Sequence, residues 1–264
     1  MKNRTITKAS IHASLVITAT VASAFGGTAA PASMETPAAS SGWEFRVEPY
    51  GWLTGLNGDV EIANRSVAVD ESFSDLFEHL DLAAALQFEA RNGRWGIIAD
   101  GFYTELSNSA DLGDVNYGSA DIESQQFLGE LYAAYRITEG VSGFLDVYAG
   151  LRYNYFSADL SANGVNPTPD FDLSKSKNWT DPLIGMRGQW NITQKIFLAA
   201  KGDVGGFGVS SDLAWTLQGT IGYQFTPNVS SEIGYRYLHT DYTDGGFKYD
   251  VAQAGLFTGL NIKF

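Results

Sequence analysis

The sequence predicts an all-β protein: a single membrane-spanning, antiparallel up-and-down β-barrel of about ten strands, with eight strands as the alternative. Apolar and polar residues alternate with period two over many segments, and the alternation continues up to Phe264. The connections between these segments are alternately short and long. No segment after residue 30 has the roughly 18 consecutive apolar residues that a membrane helix needs. A β-sandwich is the soluble alternative, because its strands would also alternate.

The first 30 residues have the features of a secretory signal peptide. Lys2, Arg4 and Lys8 form a basic start, residues 11–24 are mostly apolar, and small residues follow. We expect a signal peptide over residues 1–24, with cleavage between residues 24 and 30. A disordered lead-in is expected over 25–42, and the barrel over 43–264.

Ten segments are predicted strands, each about as long as a tilted strand that crosses a bilayer. They span 43–56, 82–91, 94–106, 123–137, 144–156, 179–190, 196–207, 213–225, 229–238 and 250–264. Asn92-Gly93 is a strong two-residue hairpin signal and typifies the short connections. The long connections are 57–81, 107–122, 157–178 and 239–249. An even number of strands places both ends of the barrel on the side of the short turns.

The composition is acidic and lacks cysteine. The chain has 17 basic and 30 acidic residues, and removal of the signal peptide leaves 14 against 30, a net charge of −16. This charge argues against nucleic acid as a partner. Without cysteine there is no disulfide framework, so the sheet alone must hold the fold.

The polar strand faces carry charges of both signs in near balance. They hold eight basic and nine acidic side chains, whereas the long-loop side holds four basic and 19 acidic ones. Buried charges need partners, and in a narrow lumen they can pair across strands; on a sandwich they would form a solvated outer face. We predict a lumen charge network of Arg46, Glu89, Arg91, Asp100, Glu130, Asp146, Arg152, Asp181, Arg187, Lys201, Asp203, Glu232 and Arg236.

Aromatic residues fall at two levels along the predicted strands, as at two membrane interfaces. Trp43, Phe45, Trp95, Tyr135, Trp190 and Phe264 lie near the short-turn ends, and Tyr103, Tyr153, Trp215 and Tyr237 lie near the opposite ends. Inward positions place large residues such as Tyr132 and Tyr148 beside glycines such as Gly150 and Gly185, so we expect a mostly plugged interior.

Together with the signal peptide, the two classes of turn and the terminal Phe264, these features resemble the bacterial outer-membrane β-barrel proteins, nearest the small OmpA-like and opacity-protein barrels. The resemblance covers residues 43–264. It implies an outer-membrane location with both termini periplasmic and the long acidic loops extracellular. It also implies contact with outer-membrane lipid and lipopolysaccharide, and insertion by the barrel-assembly machinery. Leu260, Ile262 and Phe264 would then be the assembly signal.

A helical stripe interrupts the first long connection. Phe73, Leu76, Phe77 and Leu80 follow helical spacing, and Ser72 and Asp75 resemble an N-cap pair. Eight residues do not stay helical alone in water, so the stripe must pack on something. It is either a lid or rim helix, or a helical turn with only a packing role.

The sequence predicts no catalytic, cofactor or metal site. His239 and Asp241 share one strand face, and omptin-type barrel proteases use Asp and His at the outer mouth. The strand phase, however, points both residues away from the lumen, with no matching carboxylate pair. We therefore expect a non-enzymatic barrel with a structural or surface role and at most a narrow, weakly cation-favouring pore. A small diffusion porin is the first alternative, and an omptin-like outer-membrane hydrolase is the second.

The loops are rich in carboxylates. These are Asp59, Glu61, Asp70, Glu71, Asp111, Asp114, Asp121 and Glu123. They are compatible with loose binding of Ca²⁺ or Mg²⁺, which prefer oxygen ligands. The alternative is ordinary solvated surface charge.

Overall fold

The computed structural model describes residues 42–62, 65–111, 117–165 and 168–264, in which the chain forms a closed antiparallel sheet. The signal peptide predicted over 1–24, and all but the last residue of the lead-in, lie outside the described residues. The strands are β1 Trp43–Ile62, β2 Arg65–Glu71, β3 Leu80–Asn92, β4 Trp95–Asp111, β5 Tyr117–Gly140, β6 Gly143–Gly164, β7 Phe171–Asn191, β8 Ile196–Gly205, β9 Leu213–Thr226, β10 Val229–Asp244 and β11 Phe247–Lys263. One short helix, α1, spans Phe73–Glu78.

Ten of these strands form the ring of the barrel. Each of β3 to β10 pairs with the next strand, and β1 closes the ring by pairing with both β11 and β3. The β1–β11 register runs from Arg46 opposite Lys263 to Ile62 opposite Phe247. The short β2 folds back along the outer half of β1. The count of ten is confirmed, and the eight-stranded alternative and the sandwich are wrong.

Several strands are longer than predicted. Much of the predicted connections 107–122 and 157–178 continues as paired strand in β4, β5, β6 and β7. The prediction of a long connection over 239–249 is wrong, because β10 and β11 are joined by a turn of two residues, Gly245 and Gly246. Beyond the membrane both faces of a hairpin meet water, so its residues need not alternate in polarity. The backbone hydrogen bonds persist there, while the sequence pattern that identifies strands is lost.

The two faces of the ring are opposite in character to those of a water-soluble barrel. Leu131, Ile184 and Leu217 point outward and are more than half exposed, whereas the inward Asp146 and Arg152 are fully buried. Soluble proteins rarely expose an apolar surface this extensive. The arrangement is that of a barrel surrounded by lipid. Among the described residues, no helix is long and apolar enough to cross a membrane.

The ladder between β1 and β3 is interrupted halfway up the wall. It ends where Pro49 pairs with Leu86, and on that side of β1 pairing resumes with β2 only at Leu56. Proline has no backbone N–H to donate, so it is suited to end a ladder. A Cβ at Gly55 would come within 2.7 Å of the Glu71 carbonyl oxygen, so the β2–α1 connection crosses β1 closely at this glycine. We call the unpaired stretch between residues 50–55 of β1 and residues 80–85 of β3 the seam.

Candidate functional site: the barrel lumen

The first layer of the lumen, near the short turns, is an arginine cluster around Asp146. Its carboxylate accepts from Arg91 Nη2 at 2.6 Å, Arg136 Nε at 2.9 Å and Arg187 Nη2 at 3.1 Å. Glu89 Oε1 lies 2.8 Å from both Arg91 and Arg187. Because β3 and β7 lie apart in the ring, the Glu89–Arg187 pair crosses the lumen.

A second layer forms around Arg152 and Glu130 on neighbouring strands. The Arg152 guanidinium donates to Glu130 at 2.7 Å, to Asp203 on β8 at 2.7 Å and to the Thr216 hydroxyl on β9 at 2.8 Å. Lys201 on β8 donates to the other Glu130 oxygen at 2.7 Å. Arg152 has no exposed surface. Its charge is thus paired, buried and held across the width of the barrel.

A polar vestibule with charges of both signs lies beside these layers and faces the short-turn end. It is a cavity of about 150 Å³ lined by Arg46, Glu48, Asp100 and Glu232 among others. The Tyr50 hydroxyl donates to Asp100 at 2.6 Å and closes the inner end of the cavity. Water can therefore enter the barrel from this side and reach the aromatic layer above.

Apolar and aromatic layers lie above the charges. The first contains Tyr50, Trp52, Phe102, Leu128, Leu238 and Phe257. Above it, Gln126 and Gln253 exchange amide hydrogen bonds of 3.1 and 2.8 Å across the lumen. At the outer mouth the indole of Trp179 stacks on the ring of Tyr242, with centroids 4.3 Å apart. Charged groups and packed rings thus occupy successive levels of the barrel.

Nine of the 13 residues predicted for the lumen network take part in ion pairs within 4 Å. They are Glu89, Arg91, Glu130, Asp146, Arg152, Arg187, Lys201, Asp203 and Arg236. Among the described residues, the other four make no ion pair: Arg46, Asp100, Asp181 and Glu232. Asp181 instead accepts from the backbone N–H and hydroxyl of Ser211, both at 2.8 Å. It therefore fixes the connection between β8 and β9.

Arg136 belongs to the cluster although the predicted network omits it. Besides Asp146, it contacts Glu139 at 3.0 Å, and its guanidinium lies 4.2 Å from the centre of the Phe144 ring. The sequence pattern could have identified Arg136 as inward, because it has the same strand phase as the inward Glu130. A bulge between Arg136 and Thr138 then ends the regular register of β5 and β6.

Two of the predicted assembly residues lie on the outer face of the last strand, and the third, Phe264, directly follows it. Leu260 and Ile262 point outward, and Phe264 is 66% exposed. Phe264 exchanges two backbone hydrogen bonds with Phe45, of 3.0 and 3.1 Å, and their rings stack. Phe264 is thereby joined to the first strand at the aromatic rim.

The helix α1 begins at a complete capping box. Ser72 is the N-cap, Asp75 Oδ2 accepts from the Ser72 hydroxyl at 2.6 Å, and these hydrogen bonds lower the pKa of the Asp75 carboxyl. Phe73 and Phe77 pack against each other on the helix, with ring centroids 5.4 Å apart. The prediction that Leu80 belongs to the helix is wrong, because α1 ends at Glu78 and Leu80 begins β3.

The candidate catalytic and metal-binding residues do not come together in one site. His239 lies on the outer face of β10, and its Nε2 is 3.1 Å from Asp250 Oδ1 on β11, so its carboxylate partner is not Asp241. Of the carboxylates predicted as possible loose cation ligands, Asp114 lies outside the described residues. The others lie near the outer ends of the strands. In the described part of the chain, no three His, Cys, Asp or Glu side chains are grouped as metal ligands.

No protein-family model matches the chain, and no curated protein matches it. Solved structures do. The outer membrane protease OmpT from Escherichia coli aligns over 88% of this chain and 100% of that chain, with a TM-score of 0.54 and 12% identity. The translocator domain of the autotransporter NalP from Neisseria meningitidis aligns over 85% and 89%, with a TM-score of 0.42 and 12% identity. Ail of Yersinia pestis, in complex with the heparin analogue sucrose octasulfate, aligns over 84% and 99%, with a TM-score of 0.41 and 14% identity.

The OmpT likeness shows the fold, because the whole of that chain is covered. The fold is that of the bacterial outer-membrane β-barrels. The resemblance predicted from the sequence is confirmed at this level.

Proposed function

We propose that the chain is an integral outer-membrane β-barrel with a structural or surface role, whose lumen is closed to diffusion. The observation that carries this is the buried Arg152, whose guanidinium joins Glu130, Asp203 and Thr216 across the interior. A water-filled porin would leave such groups solvated, whereas packed rings lie above them here. Any residual current is weakly cation-favouring, because an acidic outer rim attracts cations through a field screened beyond about 8 Å.

The proposed orientation places both termini and the short turns in the periplasm and the long acidic loops outside. Outer-membrane barrels have short periplasmic turns and longer extracellular loops. The connections on the side proposed as periplasmic are short throughout, and on the other side the exception is the two-residue turn between β10 and β11. The partners in this setting are outer-membrane lipid, lipopolysaccharide and, during insertion, the assembly machinery. The loop carboxylates would hold divalent cations loosely at most.

No enzymatic role is proposed. OmpT is a protease, but a likeness at 12% identity concerns the fold. The imidazole of His239 sits on the outer wall beside Asp250, away from the lumen.

Two measurements test the proposal. Envelope fractionation with heat-modifiable gel migration tests the membrane claim; a periplasmic protein with no mobility change on heating would refute it. Planar-bilayer recording tests the closed lumen, with the unmodified protein expected to give small currents. Arg152→Ala should increase the current, since it removes the side chain that crosses the lumen. Arg94→Ala, an exposed arginine at a short turn, is the matched control and should not. Large, stable steps in the unmodified protein would support the diffusion porin instead.

A further inference from the structure

The seam between β1 and β3 encloses an apolar cavity that passes through the wall of the barrel. The cavity measures about 220 Å³. Its lining combines inward residues such as Trp52 and Phe102 with outward residues such as Leu53 and Ala84. A cavity lined from both faces of a sheet is continuous with both sides of that sheet. In an intact antiparallel ladder the hydrogen-bonded backbones would close it.

The helix α1 covers the seam from outside with its apolar face. Phe73, Leu76 and Phe77 line the cavity, together with Leu80 at the start of β3. Phe77 is nonetheless 54% exposed, so the cover leaves much of its own apolar surface open. A six-residue helix has little stability of its own and can be displaced at low cost.

The indole of Trp52 is fixed on the inner side of the seam. Its N–H donates to the Arg236 carbonyl of β10 at 3.3 Å. The inner wall of the cavity is therefore a fixed aromatic surface.

The height of the seam places it in the outer half of the membrane. Residues 50–55 lie seven to twelve positions beyond Trp43 at the aromatic rim, and a tilted strand crosses the hydrocarbon core in about 9–11 residues. The outward Leu82 and Leu86 beside it are about half exposed. The outer leaflet faces the seam there, with residues 50–53 at the depth of its hydrocarbon and α1, which carries the exposed Asp75, at the level of the headgroups.

We propose that the seam is a binding site for one linear hydrocarbon chain, which enters sideways from the outer leaflet and lies beneath α1 against Trp52 and Phe102. An apolar cavity of about 150 Å³ stays dry and binds a small aromatic molecule, so this cavity is large enough for a segment of one chain. It is too small for two chains or a headgroup, which stays at the surface. The inference rests on the proposed membrane location, which fractionation and heat-modifiable migration test separately.

Photolabelling with a chain-borne probe tests the site. The protein in phosphatidylcholine vesicles is irradiated with a free fatty acid that carries a terminal diazirine, and separately with a phosphatidylcholine that carries the same group on one acyl chain. Labelled residues are mapped by mass spectrometry. The expected result is saturable labelling of the inward Thr54, Phe102 or Leu106, competed by unlabelled dodecanoic acid. Labelling by one probe alone identifies the source of the chain as free acid or lipid.

A cavity-filling variant provides the contrast. Ala83→Trp places a large side chain in the cavity, whereas Ala133→Trp makes the same change on the lipid-facing wall of β5. Excluding two methylenes costs roughly tenfold in affinity, so Ala83→Trp should reduce inward labelling at least about tenfold. Ala133→Trp should leave it unchanged. If Ala83→Trp loses heat-modifiable migration, Ala85→Leu replaces it.

Labelling confined to outward residues, with both probes, would overturn the proposal. Inward labelling that Ala83→Trp or Ala85→Leu leaves intact in a folded barrel would overturn it as well.

Discussion

Asp146 offers the sharpest test of whether the arginine cluster is shielded from water. Asp146→Asn keeps the shape of the side chain and removes its charge. Arg91 and Arg187 then keep only Glu89, and Arg136 keeps only the exposed Glu139. Removing one partner of a buried ion pair costs about 3–5 kcal/mol, because the remaining charge stays desolvated. At a slope of about 2 kcal/mol per molar urea, the unfolding midpoint should fall by roughly 1.5–2.5 M.

The matched control uses the exposed partner of the same arginine. Glu139 lies 3.0 Å from Arg136 but is 65% exposed, so Glu139→Gln should cost at most about 1 kcal/mol. Both variants are refolded into lipid vesicles, and tryptophan emission is followed through urea unfolding. Equal, small shifts for the two variants would mean that water solvates Asp146. That result would refute the shielded arginine cluster and favour the porin alternative.

Three further predictions follow from other parts of the barrel. Phe264→Asp should impair membrane assembly more than Phe225→Asp, an aromatic 55% exposed at the same end, as measured by the heat-modifiable fraction in cells; equal insertion would count against the assembly signal. Asp181→Ala should lower the free energy of unfolding by about 1.5–3 kcal/mol in urea titrations, because the Ser211 hydrogen bonds are lost; a change under 0.5 kcal/mol would contradict this. The pKa of Asp75 is lowered in the folded state. The Asp75 cap therefore stabilises α1 fully at pH values above the ordinary pKa of about 3.9, and this stabilisation is lost as the pH falls through the lowered pKa. A fluorophore attached to the cysteine of the Ser74→Cys variant should report this acid transition, and adding Asp75→Asn should abolish the transition. A transition that Asp75→Asn leaves unaltered would show that another group titrates.

The sequence is informative wherever lipid faces one side of a strand. Period-two alternation there determines which side chains point inward, so Glu130 and Arg152 could be assigned to the lumen before any pairing was known. It does not determine partners, since an inward Asp181 can meet a guanidinium or, as here, the turn residue Ser211. Partner choice depends on which strands lie opposite each other across the barrel, and alternation carries no information about that.

The seam and β2 lie beyond the reach of such patterns. Pro49 is visible in the sequence, but its effect depends on whether β3 or another segment lies beside it. The helix α1 was predictable from Ser72, Asp75 and the stripe of Phe73, Leu76 and Phe77. Its position over an interrupted ladder is a tertiary property, set by the close approach at Gly55.

The closure between β1 and β11 has a consequence for the timing of folding. Arg46 pairs with Lys263, so the first ring strand is joined to the last across more than 200 residues of chain. Contacts this distant in sequence form slowly, because the intervening chain must be ordered before they contribute stability. Until then one edge of β1 presents unpaired N–H and C=O groups, which can join a strand of another molecule. The interval between export and ring closure should therefore be when the chain most depends on chaperones, and slowing the arrival of β11 should increase aggregation without altering the finished barrel.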